Sequence, residues 1–294
     1  MKRKWTNPFE LDGKWYKANL HTHSTVSDGS VSPEDRVEQY RKAGYDILAL
    51  TDHRTTNDVQ PFKDKKILVI SGMEYHPLCP TTPYEYHLVG LNLPHGFTFT
   101  DLQDALRCIA EVRKAGGETI LAHPFWTGQA YEDFKILEDL AAMEVYNSTC
   151  DTAGRPASEN EWAHGLDRGF RLPIVASDDA HHLDEDVRLA WTWLKMPALT
   201  TANVLAAIRN GACYASCGPK IHEFAVIDQE IRLRCSPVVK IQFVGPPGRG
   251  ATREAETGTH IAAFNILHPD WTYIRAVVTD ETGRKAWSNP VWLQ

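Results

Sequence analysis

The chain has no apolar run approaching the roughly 18 residues that cross a bilayer. Its start, Met-Lys-Arg-Lys-Trp-Thr-Asn-Pro, lacks the apolar stretch of a secretory leader. Neither a membrane span nor export is expected, and the composition reads as that of a cytoplasmic protein. Six cysteines (79, 108, 150, 213, 217 and 235) are scattered, and Cys213 with Cys217 has no second pair to make a zinc knuckle. They are expected as reduced thiols rather than a disulfide framework. An excess of basic charge is missing too: 31 Lys and Arg against 38 Asp and Glu give a formal net charge of −7. That argues against a broad basic face for nucleic acid or acidic lipid, and leaves at most mono- or short oligonucleotides as nucleic-acid partners. Internal repeats and low-complexity tracts are absent as well.

What is present is enough apolar residue for a sizeable core, 43% of 294. The first two-thirds alternate short apolar runs with helical patterns. Strands are expected near 15–20, 46–50, 67–70, 86–93, 119–122, 143–146, 173–176 and 191–195. Helices are expected from Ser32-Pro33-Glu34-Asp35 to about Ala43, and over about 101–115, 134–140, 158–168 and 202–209. Ser32 as cap, Pro33 in the first position and Gly44 beyond the end are the usual helix punctuation. Such alternation implies a mostly parallel sheet covered by helices, open or closed into a barrel. After Gly218-Pro219 the texture becomes all strand, near 224–227, 231–234, 240–244, 261–267, 273–279 and 291–293, with turns at Gly245-Pro246-Pro247-Gly248 and Asp280-Glu281-Thr282-Gly283. A boundary is therefore expected at about 219, with residues 1–219 as one unit and 220–294 as a small all-β unit. Edge strands in the second unit would offer a surface for self-association.

Six of the thirteen histidines (His21, His23, His53, His87, His123 and His181) recur mostly at the ends of apolar runs, where strands meet loops. In a strand, residues i and i+2 share a face, so His21 and His23 can reach one metal ion. Asp28, Glu74 and Asp179 stand in the same series, and the pattern points to a metallohydrolase.

The ordered motifs are Leu-His-Thr-His-Ser with Asp-Gly, then Thr-Asp-His, Gly-Met-Glu, His-Leu-Val-Gly-Leu, Ala-His-Pro and Ser-Asp-Asp-Ala-His. Over about residues 15–200 this set resembles the polymerase-and-histidinol-phosphatase (PHP) family. The resemblance implies an α/β fold, a distorted TIM-like (β/α)7 barrel, with two to three divalent ions (Zn, Mn or Fe) at the C-terminal ends of its strands. It assigns His21, His23, Glu74 and Asp179 to one ion, and bridging Glu74 with His87 and His123 to a second. Asp28, His53 and His181 fall to a third. Mixed imidazole and carboxylate ligation does not choose among the metals. Glu74, His53 and His181 are the ligands expected to bear most directly on catalysis. A hydroxide bridging the two Glu74-linked ions is the expected nucleophile toward a small phosphorylated metabolite or nucleotide.

Asp52 is expected to orient an imidazole and Asp178 to support the site. Arg54 and Arg155 are candidates for holding a substrate anion. His76 reads as ordinary loop polarity, and Phe125-Trp126 as either an apolar wall or rim packing. The tail Asp-Glu-Thr-Gly-Arg-Lys-Ala-Trp-Ser-Asn-Pro-Val-Trp-Leu resembles a PHP branch that includes carbamate and ester hydrolases. A carbonyl substrate thus stands as the alternative to a phosphoester. A nuclease, or a metal-binding module of a larger assembly, ranks below both.

Overall fold

The structure, a computed structural model, describes residues 5–63, 65–182, 187–265 and 270–293. Seven strands build its first half: β1 (Lys14–Asn19), β2 (Ile47–Leu50), β3 (Leu68–Tyr75), β4 (Leu88–Leu91), β5 (Glu118–Leu121), β6 (Ala142–Asn147) and β7 (Ile174–Ser177). They pair in that order, parallel except that β4 runs against both β3 and β5. Beyond the strand ends, a parallel bridge between Thr22 and Ala180 returns the last strand to the first.

Helices do not follow every strand. α1 (Pro33–Lys42) links β1 to β2, α2 (Ala105–Lys114) links β4 to β5, and α3 (Tyr131–Phe134) with α4 (Glu159–Asp167) flank β6. Between β2 and β3 the described residues hold one short 3-10 turn, Gln60–Phe62. The Ser32 hydroxyl accepts from Asp35 N, and Gly44 takes φ +76°, a left-handed value that favours glycine. The third helix lies earlier than the 134–140 that the pattern suggests. Asp133 draws it forward by accepting from Ala130 N, which caps a turn starting at Tyr131.

β8 (Trp191–Met196) turns the sheet antiparallel by pairing with β1, and α5 (Thr201–Asn210) leads to β9 (Cys213–Ser216). Then come β10 (Ile221–Ile227), β11 (Glu230–Val244), β12 (Gly250–Asn265), β13 (Tyr273–Thr279), β14 (Lys285–Ser288) and β15 (Val291–Trp292). The two strands expected at 231–234 and 240–244 are one long strand, β11. The strand expected at 261–267 belongs to β12, and its residues 266–267 lie outside the described ones.

The sheet does not stop near 219. β14 pairs with β9, so the C-terminal strands continue the sheet that begins at β1. Short strands such as β9 and β14 carry too little periodicity to be read without their partners. Apolar packing crosses the same line: Tyr273, Val277 and Trp287 share one core with Met73, Leu121 and Trp162.

Polar contacts reinforce this junction. Arg275, 4% exposed, pairs with Glu159 at 2.8 Å, and Trp287 Nε1 donates to the same carboxylate at 3.1 Å. Removing Glu159 leaves a buried guanidinium without its carboxylate. Glu159→Ala is therefore expected to cost about 3 kcal/mol in urea unfolding; a loss below about 0.5 kcal/mol would contradict the pairing's role. Burial pushes the Glu159 carboxyl up, but Arg275, Trp287 and Lys285 outweigh it and hold it below its ordinary value. Its contribution is thus full above the unfolded carboxylate's pKa of about 4.3, and is lost as pH falls through the lower folded value.

Candidate metal centre

The strand directions explain why residues so far apart in sequence meet. His21 and His23 follow β1, His53 follows β2, and Glu74 closes β3. His123 follows β5, and Asp179 and His181 follow β7. β4 is reversed, so its beginning lies at the end of the sheet where its neighbours finish, and His87 immediately precedes it. All these side chains therefore reach one end of the sheet, where ligands collect in α/β folds.

Asp28 arrives by a loop. The Gly29 N–H donates to Ser24 O at 2.9 Å, and a Cβ on Gly29 would come within 2.7 Å of Ser24 N. Only glycine lets the chain fold back this tightly, which returns Asp28 to within 3.6 Å of His23. His123 (φ +26°) and Asp179 (φ +56°) hold left-handed backbone conformations uncommon for their types. Strain of this kind costs about 1–3 kcal/mol per residue and concentrates at functional sites.

At the centre, His21 Nε2 and His23 Nε2 are 3.2 Å apart. Glu74 Oε2 lies 3.4 and 3.3 Å from them, and Asp179 Oδ1 lies 3.2 and 2.9 Å away. Ligands about 2.0–2.1 Å from a tetrahedral ion are separated by about 3.3–3.4 Å, close to these spacings. The other Glu74 oxygen, Oε1, faces His87 Nδ1 at 2.7 Å and His123 Nε2 at 3.5 Å. Asp28 Oδ2 faces His53 Nε2 at 3.4 Å and His181 Nε2 at 3.5 Å. The donor atoms cluster in overlapping groups, among them His21, His23, Glu74 and Asp179; Glu74, His87 and His123; and His23, Asp28, His53 and His181.

A buried cluster of this sort needs a cation. His23 Nδ1, His53 Nδ1, His76 Nε2, His123 Nδ1 and Asp179 Oδ1 are buried and make no hydrogen bond of ordinary geometry among the described residues. Unpartnered buried polar atoms are costly, and divalent ions would satisfy those that face the cluster, Asp179 Oδ1 and His76 Nε2. The carboxylates already favour positive charge around them. Burial pushes His23 down, but Asp179 and Glu74 outweigh it and raise the imidazole to about 9. Burial pushes Asp179 and Glu74 up, yet the neighbouring imidazoles hold both below the ordinary range. The donor set fits hard or borderline divalent ions bound through nitrogen and oxygen.

Residues 19–127 match the model of the PHP domain family. The chain is similar to that family over those 109 of its 294 residues. It is 33% identical over 81 residues to the 5'-3' exoribonuclease Rnm of Escherichia coli (strain K12), covering 26% of this chain and 27% of that protein. It is 32% identical over 82 residues to a phosphoribosyl 1,2-cyclic phosphate 1,2-diphosphodiesterase of Eggerthella lenta, covering 26% of this chain and 31% of that protein. The chain therefore spans less than a third of either relative's length. A solved two-domain protein containing a predicted PHP-like metal-dependent phosphoesterase, from Bacteroides vulgatus, shares the fold. The TM-score is 0.59 at 17% identity, over 95% of this chain and 94% of that one.

Around the candidate ligands, the other singled-out residues take varied places. Among the described residues Asp52 binds no imidazole. Its oxygens accept from Ser24 N and Oγ, Ser27 N and Oγ, and Asn57 Nδ2, so it clamps the loop that carries Asp28. Asp178 is buried and turned away from the cluster, accepting from Asn19 Nδ2, Tyr40 Oη and the backbone of residues 188–190. Burial pushes its carboxyl up to about 6 despite these donors. Arg54 reaches from the rim to His76 Nδ1 (3.3 Å) and Glu85 (3.5 Å). Arg155 packs its guanidinium 5.3 Å from the Phe125 ring, away from the ligands.

His76 belongs to the centre instead of being loop polarity: it is buried, with Nε2 3.7 Å from Glu74 Oε1. Glu144 escaped the sequence reading altogether. It is buried 3.0 Å from His21 Nδ1 and accepts from His123 N and Asn147 Nδ2. A ring N–H given to Glu144 turns the His21 Nε2 lone pair toward the cluster. Arg36, also buried, donates to the His23 and His182 carbonyls. Sequence signals for these were thin: His76 lies two residues after Glu74 on the same strand face, while Glu144 sits inside an otherwise apolar strand.

Proposed function

We propose that the chain is a metal-dependent phosphoesterase acting on a small phosphorylated metabolite or nucleotide, with two or three divalent ions held by the nine ligands. The observation that carries this is the pair of Glu74 oxygens, each facing a separate set of imidazoles within 2.7–3.5 Å. Such ions would supply an activated water at neutral pH and neutralise charge on the phosphoryl oxygens. Glu74, His53 and His181 stand where that charge would gather.

The protein's own contributions follow from its contacts. Asp52 keeps the loop of Asp28 in place, Glu144 fixes the tautomer of His21, and Thr149 Oγ1 donates to the Asp179 carbonyl at 2.8 Å. A cavity of about 390 Å³ opens over the ligands, and Trp126 walls it 5.5 Å from the His87 ring and 5.2 Å from the His123 ring. Arg54 at the rim adds positive charge on the approach. This reading places the chemistry on residues 1–219, organised as the PHP-type (β/α)7 barrel, with 220–294 as a small β domain bracing it.

The carbonyl-hydrolase alternative draws on the tail alone, whereas the two named relatives carry phosphodiester-cleaving names. Turnover of p-nitrophenyl phosphate against p-nitrophenyl acetate, with Mn²⁺ or Zn²⁺, separates them. Phosphate turnover abolished by chelator and restored by metal is expected. Acetate turnover alone would transfer the assignment to carbonyl chemistry. No helix among the described residues is long and apolar enough to cross a membrane.

A further inference from the structure

A second cavity of about 390 Å³ lies beside the first, and the segment after β6 forms a wall of both. Ser148 and Asp151 line the second cavity, while Thr149, Cys150 and Thr152 line the metal cavity. Its far side is the turn between β13 and β14. Among the described residues three cations line it, Arg188, Arg284 and Lys285, against one carboxylate, Asp151. In a chain of net charge −7 that balance is unusual.

The turn presents its charge outward for a structural reason. Asp280 spends its acceptors within the turn, taking hydrogen bonds from Thr282 N, Thr282 Oγ1 and Arg284 N. Arg284 Nε donates to it at 3.0 Å, yet the arginine side chain remains 58% exposed. Lys285 is 42% exposed, with Nζ 3.8 Å from Glu159, a carboxylate already engaged by Arg275 and Trp287. Tyr146 and Trp287, stacked with ring centres 5.7 Å apart, also line the space.

We propose that this second cavity is a binding site for a compact phosphate-bearing anion, separate from the metal centre. Two guanidinium forks suit phosphoryl oxygens, and the ammonium adds a point charge. The site rests on no metal ligand and stands whatever reaction the first cavity performs.

Inorganic phosphate is the probe, measured by equilibrium dialysis of the metal-loaded full chain with radiolabelled ligand. Saturation at about two phosphates per chain is expected, one at each cavity. The triple variant Arg188→Gln, Arg284→Gln, Lys285→Gln should lose the second site, with affinity there falling about tenfold or more, while p-nitrophenyl phosphate turnover stays within about twofold. Asp151→Asn removes the opposing charge and should tighten the same site by about two- to fivefold, a gain that misfolding cannot mimic. Glu74→Gln should affect only the other site, so its behaviour bears on the phosphoesterase reading alone. No bound phosphate, or phosphate binding that the triple variant leaves unchanged, overturns the proposal.

Discussion

Glu74→Gln is expected to lower phosphoester turnover by about a thousandfold or more, equivalent to about 4 kcal/mol of transition-state stabilisation. The carboxylate has its two oxygens facing different donor sets: Oε2 toward His21 and His23, Oε1 toward His87 and His123. An amide keeps the shape but replaces one anionic oxygen with an NH2 group, which carries no lone pair for a cation. One donor group loses its oxygen, the other keeps only a neutral amide oxygen, and the charge that draws cations into a buried pocket falls by one. Metal content should drop in parallel with kcat. Turnover within about tenfold of the parent, with metal still bound, would mean that Glu74 does not join the two groups.

Glu144→Ala should weaken metal binding by about 10- to 100-fold although Glu144 belongs to none of the nine expected ligands. Its carboxylate reaches three places at once: His21 Nδ1 at 3.0 Å, the backbone N of His123 at 3.1 Å and Asn147 Nδ2 at 2.9 Å. Without it, His21 loses the partner that fixes its tautomer, and the strained His123 backbone loses its acceptor. Asn147 also donates to Asp179 Oδ2 at 3.1 Å, so the disturbance extends to a second ligand. Competition with a chromogenic chelator measures the affinity. A change under about threefold would show that His21 is oriented without Glu144, and Glu144→Gln, which keeps an acceptor oxygen, should recover part of the loss.

The contrast between these two residues shows how far a sequence exposes such a site. Candidate ligands that follow strands in short motifs are visible because the motif pairs an apolar run with an abrupt cluster of polar residues. His21 and His23 after β1, and Asp179 and His181 after β7, are of this kind, as is Asp28 beside a glycine that the fold-back loop requires. Glu144 has no such frame: a lone carboxylate between Met143 and Val145 becomes meaningful only when β6 lies between β5 and β7. Asp52 misleads in the opposite way. Its place beside His53 suggests an imidazole partner, whereas its acceptors are filled by the serines of a distant loop.

The same distinction holds for the fold. Helix starts with local chemistry, such as Ser32-Pro33, are readable from neighbours in sequence, and the observed cap agrees. Reversal of β4 and the joining of β9 to β14 depend on partners far along the chain, which periodicity does not encode. The turn at Asp280–Gly283 was legible because its aspartate and glycine serve the turn itself, while its cavity emerges only once the wall after β6 lies opposite.

Metal content per chain, read by inductively coupled plasma mass spectrometry on protein purified without chelator, tests the central claim most directly. Two to three divalent ions per wild-type chain are expected, with a clear loss in Glu74→Gln. A metal-free chain that also binds no Mn²⁺ or Zn²⁺ on dialysis would contradict the account.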